Sequence, residues 1–444
     1  MDSAILLRTL RSAVLRASCP LVLSCVAGAQ DGRTPGADPV DVRARCGELL
    51  CEGAGAEAAA GLPRRLALLG PELVPVVLEL LETMRLPAPC PGASDRLETR
   101  AEQALFEALA LLERSLVLAQ VDRSVGSEAS DASRRVALRV LGVLAGVARL
   151  PLLDDVATRG REQVSSRVLE AYEDALLAVL SREPEGAKKL RDRLSRMEAP
   201  LVPAALRALG RCNAPGVASL LADVLRWERG HESVVLAELG RHLVPRLRDD
   251  PDLAELLRDF LTADRDAIVQ AAALAVGRLR DEGSVPALIE LAASEHAGIR
   301  ANALWALGRI TGQDLADAGA WQEWLDAEEA WYRRESPRLL DALASDRPER
   351  CAEAVREITR HPLFRPEFEQ GLVVLLLHEL PSLRSLACHA IVHLGCTTGL
   401  AVLVDLLEVE AGDEPGAAAL HALRSLTGLD LGTDPERWRE ALEL

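Results

Sequence analysis

The sequence contains few aromatic residues and almost no lysine. Of its 444 residues 3% are aromatic and 49% hydrophobic, so a core must be built mainly from Leu, Ala and Val. The two lysines are Lys188 and Lys189, and every other basic residue is arginine. This bias, together with abundant Ala, Gly and Leu, is more typical of a GC-rich genome than of a function. β-branched runs and Asn-Gly turns are nearly absent, which argues against a β-sandwich.

Signatures of nucleic-acid binding, membrane spanning and catalysis are also missing. The formal net charge is −17, whereas nucleic-acid binding requires a basic footprint that releases counterions. Beyond the N-terminal region no segment is long and apolar enough to span a bilayer. The sequence contains no G-x-S-x-G, no G-x-x-x-x-G-K and no H-E-x-x-H motif. We therefore expect no nucleic-acid partner, no cofactor and no enzymatic activity.

Residues 1–29 have the pattern of an export signal peptide. Basic residues precede a short apolar run at 17–26, and Ala27-Gly28-Ala29 resembles a cleavage site. We expect an exported protein, periplasmic or associated with the envelope, with a flexible leader at 30–37. Two alternatives stay open: a lipid anchor at Cys25, or a cytoplasmic protein with an apolar N-terminal helix.

The nine cysteines form no C-x-x-C pair. Seven lie beyond the signal region, and an odd number cannot all pair within one chain. In an exported protein Cys46 with Cys51, or Cys388 with Cys396, could be bridged. The alternative is that most of them are small buried apolar residues.

A repeated pattern dominates residues 267–326. In three successive segments the apolar residues recur at helical spacing, as with Ile268, Ala272 and Leu279 in the first. None of these helices could bury its apolar stripe alone, so neighbours must stack. Glycines at the helix ends recur at intervals of 30, 37 and 31 residues: Gly210, Gly240, Gly277 and Gly308. This period predicts an all-α fold, an α-solenoid of about ten two-helix units.

The helix ends and the following turns resemble the HEAT-repeat family, in particular its bacterial members. The resemblance rests on the A-L-x-x-L-G-R pattern at 303–309 and on the turn Asp281-Glu282-Gly283-Ser284 with Val285-Pro286-Ala287-Leu288-Ile289. It is close from 199 to about 311 and recognisable at 61–86 and 382–428. It implies a scaffold or adaptor that binds a protein or peptide on its concave face, lined by the second helix of each pair.

We expect a domain order that follows this resemblance. A degenerate helical-repeat region at 38–198 is followed by well-matched repeats at 199–334 and C-terminal repeats at 335–444. Helices are expected at 39–50, 95–120, 134–150 and 164–180, two more within 61–86, and a charged, solvated helix within 182–198.

Two copies of a second pattern predict the ends of repeat blocks. Thr311-Gly312 is followed by Trp321, and Thr427-Gly428 by Trp438. The glycine suits a left-handed helix cap, and each Trp is expected to cover the end of the preceding helix pair. One block would then end near 334 and the other at the end of the chain.

Two groups of residues are candidates for a metal site. His389, His393 and Cys396 are spaced i, i+4 and i+7, which would place them on one helix face with ligand types that zinc accepts. His231-Glu232 resembles one His-Glu motif of deoxyhypusine hydroxylase, a HEAT-repeat enzyme that holds two irons. The pair His378-Glu379 departs from that motif because Pro381 follows. A metal-dependent, hydroxylase-like enzyme is therefore the alternative function.

Two further groups are candidates for partner binding. Five arginines recur at similar helix ends and could form a ladder for an acidic partner: Arg207, Arg211, Arg241, Arg278 and Arg309. Compensation of the helix dipole explains the same positions without a partner. Trp321, Trp324 and Trp331 could form an aromatic cage, although aromatic residues at helical spacing are more often part of a core.

Overall fold

The computed structural model describes residues 39–52, 61–84, 99–160, 163–214, 216–227, 230–244, 247 and 250–444. These residues form 23 α-helices and a few 3₁₀ turns, with no strand among them, so the all-α prediction is confirmed. The chain divides into two compact units, unit 1 (residues 1–220) and unit 2 (residues 221–444). The signal peptide, the leader and the candidate anchor Cys25 lie outside the described residues. No helix in the described ranges is long and apolar enough to cross a membrane.

Unit 1 is a double row of helices. Its helices are α1 (Pro39–Glu52), α2 (Leu62–Ala67), α3 (Leu73–Thr83), α4 (Thr99–Leu111), α5 (Arg114–Ser124), α6 (Asp131–Leu144), α7 (Leu150–Thr158), α8 (Ser166–Arg182), α9 (Gly186–Arg193) and α10 (Val202–Arg211). The following helix, α11 (Val217–Trp227), contains the division between the units. Even-numbered helices α2 to α10 pack side by side, and α1, α3 and α5 form a second row against them. Stacked two-helix units produce this arrangement.

Several predicted helices of unit 1 have different bounds. The single helix expected at 95–120 is wrong, because Glu113 adopts an extended conformation and separates α4 from α5. Helix α6 begins at Asp131, since the Ser130 hydroxyl caps the N–H of Ser133 at 3.0 Å. Helix α7 was not predicted. The charged stretch 182–198 is not simply solvated, because α9 buries Ala187 and Leu190.

Unit 2 contains two rows of even-numbered helices. Its helices are α12 (Glu232–Leu239), α13 (Pro251–Asp259), α14 (Asp266–Leu279), α15 (Val285–Ala292), α16 (Ala297–Thr311), α17 (Ala318–Leu343), α18 (Pro348–Ile358), α19 (Arg365–Leu375), α20 (Pro381–Leu394), α21 (Leu400–Val409), α22 (Glu414–Thr427) and α23 (Pro435–Leu442). Helices α12, α14 and α16 pack in one row and α18, α20 and α22 in the other, with α15, α17 and α19 packed against one another. The block boundary expected near 334 falls inside α17. This helix is 26 residues long in total and contains Pro337 in its interior.

The C-terminal ends of the two rows meet along a seam. The Arg280 guanidinium, at the end of α14, donates to the carbonyl of His393 near the end of α20 at 3.0 Å. The Arg365 guanidinium at the start of α19 pairs with Glu282 at 2.8 Å. Val244 lies 3.1 Å from the position that a Cβ at Gly428 would occupy. Unit 2 therefore folds back, so that segments about a hundred residues apart are in contact.

The two Thr-Gly helix ends have the same geometry. Gly312 and Gly428 have φ values of +74° and +73°. In each copy the threonine hydroxyl donates to the carbonyl four residues earlier, at 2.8 and 2.7 Å, and accepts from the N–H two residues later, at 3.1 and 3.2 Å. Trp321 and Trp438 are 1% and 0% exposed. The predicted left-handed caps and the buried tryptophans are confirmed.

Neither of the two disulfides that the sequence left open, Cys46 with Cys51 or Cys388 with Cys396, is present. Cys46, Cys212, Cys351, Cys388 and Cys396 are all buried and are not disulfide-bonded. Cys51 is disulfide-bonded, and its partner is none of these five. Burial raises the pKa of both Cys46 and Cys388 to about 12. These two side chains therefore act as small apolar residues of the core.

Candidate functional site

The arginine–tryptophan face consists of Arg241, Arg278, Trp305 and Arg309, at the C-terminal ends of α12, α14 and α16. Trp305 is 40% exposed; of the other tryptophans only Trp227, on α11, is more exposed, at 80%. Its ring lies over α14, 2.9 Å from the position that a Cβ at Gly277 would take. Gly277 thus allows the indole to rest on the neighbouring helix as an exposed platform.

Close packing of α14 against α16 holds this platform in place. A Cβ at Gly277 would lie 2.8 Å from the Cα of Ala306, a distance that side chains do not adopt. The two helices therefore approach each other as closely as their backbones permit at the residue next to Trp305. This close approach lies beside Trp305, whose ring covers the Gly277 position.

Two exposed arginines lie near the indole in the sequence and packing: Arg278 follows Gly277, and Arg309 is one helical turn after Trp305. Arg278 is exposed, and its guanidinium lies over Gly240 at the end of α12, 2.5 Å from the position a Cβ there would take. Arg309 is exposed one helical turn after Trp305. Within the described part of the chain neither guanidinium forms a hydrogen bond or an ion pair. Two cations therefore face solvent without an internal acid.

The other predicted ladder arginines are paired internally. Arg207 and Arg211 both bind the buried carboxylate of Glu173, each at 2.7 Å, from the next helix of the even row in unit 1. Arg241 pairs with Glu238 of its own helix at 2.9 Å and remains 59% exposed. The five residues are thus not equivalent. The three arginines of unit 2 lie on the face, and the two of unit 1 hold repeats together.

Ion pairs between repeats involve arginines at several positions of the array. In each case an acid with a side chain at most 17% exposed accepts from an arginine of an adjacent repeat: Arg139–Glu102, Arg193–Asp154, Arg207–Glu173, Arg265–Glu232 and Arg258–Asp281. A buried carboxylate requires such a partner. These pairs therefore fix the register of the stack.

The structure does not bring the predicted His-Cys metal ligands together. His389 and His393 are exposed, whereas the Cys396 side chain is fully buried. Helix α20 ends at Leu394 and Gly395 is left-handed with φ +71°. The i+7 relation therefore fails, since Cys396 has left the helix. Among the described residues no group of three or more His, Cys, Asp or Glu side chains could hold a metal ion.

In the predicted His231-Glu232 motif, the Glu232 carboxylate is held by contacts within the protein. Glu232 is buried, accepts from the Gly230 N–H at 3.1 Å and forms an ion pair with Arg265. Burial raises its pKa, but the backbone hydrogen bonds and Arg265 outweigh burial, and the net pKa is lowered. In the other pair, His378 Nδ1 accepts from the N–H of Leu380 at 3.0 Å, so it caps the turn before α20.

The three tryptophans of α17 do not form a cage. Trp321 and Trp324 pack edge to face with ring centroids 5.5 Å apart. Trp331 instead stacks on His361, with ring centroids 3.4 Å apart. His361 Nδ1 lies 2.8 Å from the buried carboxylate of Glu328. Sequence reasoning missed this cluster, although Glu328 and Trp331 share a face of α17 at i, i+3 spacing.

Comparison with known families gives a match in the part of unit 2 that carries the arginine–tryptophan face. The model for HEAT repeats matches two overlapping stretches, 230–308 and 254–336. Residues 230–336 are HEAT repeats. The HEAT repeats therefore contain Arg241, Arg278, Trp305 and Arg309 and most of α17. No curated protein matches the sequence significantly.

The solved structures that are similar to the chain share little sequence identity with it. An engineered protein is 17% identical with a TM-score of 0.30, and the match covers 88% of this chain and 96% of that one. The karyopherin Kap121p, bound to the extreme C-terminus of the phosphatase Cdc14p, is 14% identical with a TM-score of 0.36. Yeast importin-β (Kap95p) is 13% identical with a TM-score of 0.37 over 96% of this chain.

The matches cover only part of each karyopherin chain. All of this chain corresponds to 55% of Kap121p, and 96% of it to 61% of importin-β. TM-scores below 0.5 mean that these similarities say nothing about partner or activity. The function has to be argued from the residues of this chain.

Proposed function

We propose that this protein is a non-enzymatic HEAT-repeat scaffold or adaptor that binds a protein or peptide through the arginine–tryptophan face. The observation that carries the proposal is the exposed Trp305 with two exposed arginines near it, Arg278 and Arg309, neither of which pairs with an acid in the described part of the chain. Tryptophan and arginine are the residues most enriched among those that dominate binding energy at interfaces. An indole also has only two side-chain torsions, so it loses little conformational entropy when it is covered.

This face lies on α12, α14 and α16, the first helices of the predicted pairs. The expected binding surface, by contrast, was lined by the second helices. The residues favour the first helices because their C-terminal ends carry the exposed cations. The corresponding arginines in unit 1, Arg207 and Arg211, already bind the buried carboxylate of Glu173 and are therefore less available to a partner.

The test is crosslinking in the source cells with a matched pair of tryptophan variants. Trp305→Ala removes the platform, and Trp227→Ala removes another exposed tryptophan, 80% exposed on α11. We expect one protein to crosslink stoichiometrically to the wild-type chain and to the Trp227 variant, and several-fold less to the Trp305 variant. Equal crosslinking of all three would refute the proposed face.

Elemental analysis tests the non-enzymatic part of the proposal. The chain would be purified from its source without a His-tag and measured together with its intact mass. We expect less than 0.1 metal atom per chain, roughly the level of adventitious ions at exposed histidines. One equivalent or more would contradict the proposal and direct attention to His231, His389 and His393.

We further propose that the protein is exported. The signal-like pattern at 1–29 supports this. The intact mass of the native chain is the test. A mass that starts at Gln30 or at a lipidated Cys25 is expected, and a chain that retains Met1 in the cytoplasm would overturn the proposal.

A further inference from the structure

We infer that unit 2 is a clamp whose two halves separate at the seam as folded bodies, with Arg280 as the latch that holds them closed. The N-terminal half comprises α12 to α16, the C-terminal half comprises α18 to α23, and α17 connects them. A separate core in the C-terminal half, a mainly polar seam and a strained backbone at Arg280 support this. None of these three features depends on the binding of a partner.

The C-terminal half has a hydrophobic core of its own. Among the described residues, the buried apolar side chains that form this core run from Trp331 to Leu442, and none of them belongs to α12 to α16. Trp321, at the start of α17, is buried outside this cluster. Between the two tryptophans, residues 322–327 have no buried side chain. Opening at the seam therefore divides no continuous apolar core, and each half keeps the packing that stabilises it.

The contacts across the seam are mainly polar. Arg280 donates to the carbonyl of His393 at 3.0 Å, and Arg365 pairs with Glu282 at 2.8 Å. When the seam opens these groups return to water, and their hydration offsets much of the lost interaction. The apolar contact with Gly428 involves Val244, which is itself partly exposed. The seam therefore stabilises the closed form far less than core packing stabilises either half.

The backbone of Arg280 adopts a conformation that glycine adopts at three equivalent helix ends. Its φ is +58°, and the residues that end α16, α20 and α22 are Gly312, Gly395 and Gly428, with φ values of +74°, +71° and +73°. A β-carbon makes this left-handed conformation unfavourable. Glycine would therefore end α14 at a lower cost. We attribute the arginine to what its side chain contacts, because strained residues persist where the surrounding contacts hold them.

The guanidinium of Arg280 caps the end of a helix in the opposite half. The N–H groups of the two residues after α20 bond to carbonyls earlier in its last turn, at 3.2 and 2.9 Å. The carbonyl of His393 lies later in that turn and accepts from Arg280. A cation there also complements the negative end of the helix dipole. Arg280 thus ends α14 with its backbone and caps α20 with its side chain, which closes the two halves on each other.

A distance measurement across the seam in the full-length chain tests the latch. The end of α12 lies opposite the end of α22, at Val244 and Gly428, and both are far along the chain from the connecting helix α17. Nitroxide labels are therefore placed at the exposed positions Ala237 on α12 and Ser425 on α22. They are attached through a keto amino acid, so that the native cysteines stay unlabelled. Electron–electron resonance then gives the distribution of label separations.

Two variants separate the latch from the strain. Arg280→Gly removes the guanidinium and relieves the positive φ. Glu443→Gly is the matched control, because Glu443 ends α23 with a φ of +57°. Within the described residues its side chain forms no hydrogen bond or ion pair. Both variants relieve the same kind of strain, but only the first loses a contact across the seam.

We expect one dominant short separation in the wild-type chain and in Glu443→Gly. Arg280→Gly should show a second separation, longer by about one helix diameter, ~10 Å, or more. Its ratio of open to closed molecules should be about tenfold higher, because a charge-assisted hydrogen bond is lost. Helix content by circular dichroism should be the same in all three chains, since each half keeps its core.

Three results would overturn the inference. An unchanged distance distribution in Arg280→Gly would show that Arg280 is not the latch. The same second separation in Glu443→Gly would show that the change does not depend on the seam contact. A loss of helix content that accompanies the longer separation would show that the halves unfold rather than separate as folded bodies.

Discussion

Trp321 and Trp438 occupy equivalent positions but differ in one hydrogen bond. Both follow a Thr-Gly cap and both are fully buried. The indole N–H of Trp438 donates to the carbonyl of Gly432 at 2.9 Å. That of Trp321 is buried without a partner in the described part of the chain. Replacing each by Phe removes the same volume from the core, so the difference between the two variants isolates the hydrogen bond.

The magnitude follows from the two environments. Trp438→Phe loses a hydrogen bond worth about 1 kcal/mol. Trp321→Phe loses none and relieves a buried unsatisfied donor, which recovers about 1 kcal/mol. Trp438→Phe should therefore destabilise its site by about 2 kcal/mol more than Trp321→Phe does, or about 30-fold in a local opening equilibrium.

Hydrogen exchange measured by mass spectrometry gives this number locally. Peptides that cover 307–331 and 423–444 report opening at each cap, and peptides of unit 1 serve as the internal reference. We expect protection to fall about 30-fold more for the C-terminal peptide than for the other. An equal or larger loss at the Trp321 site would refute the reasoning.

Three further predictions concern the core and pH. Cys46 and Cys388, with pKa values of about 12, should not react with a thiol reagent at pH 8 until the chain is unfolded in urea; prompt labelling of the native chain would contradict this. Gly277→Ala should lower the free energy of unfolding by about 1–3 kcal/mol, because its Cβ meets the α16 backbone; urea titration would show no loss if the helices can separate freely. The lowered pKa of Glu232 means that its backbone hydrogen bonds and its ion pair with Arg265 stabilise the fold at pH values above its ordinary pKa of 4.5, and that this stabilisation is lost as the pH falls below 4.5; a Glu232→Gln variant with unchanged acid sensitivity would contradict this.

The fold could be predicted because its main determinants are local and repeat. Thr311-Gly312 and Thr427-Gly428 indicated helix ends because a left-handed residue after a threonine satisfies the last turn regardless of the surroundings. The predicted split of 61–86 at Gly70-Pro71 is also present, as α2 and α3. At Glu113 the apolar periodicity continues although the helix is interrupted, so the prediction of a single helix at 95–120 was wrong. No residue type there marks the break.

The candidate site was harder to predict, since its features depend on contacts between repeats. The five arginines look alike in sequence, yet Arg207 and Arg211 have a buried acid from the neighbouring repeat and Arg278 and Arg309 do not. A spacing of 34 residues between Glu173 and Arg207 is visible in the sequence, but only the packing shows that the two meet. The predicted metal-ligand set of His389, His393 and Cys396 was wrong for a local reason: Gly395 ends the helix before Cys396 is reached.

The seam of unit 2 affects how this array folds and unfolds. In an open stack each repeat touches its neighbours alone, so stability is a sum of nearest-neighbour terms and folding can propagate from any point. Here Arg280 is bonded to a residue 113 positions away and Arg365 to one 83 positions away. Closing such long loops costs chain entropy before the contacts form, which slows folding. Deleting the last helices would therefore also remove support from α12 and α14, and unit 2 should unfold as one cooperative body rather than unravelling from its end.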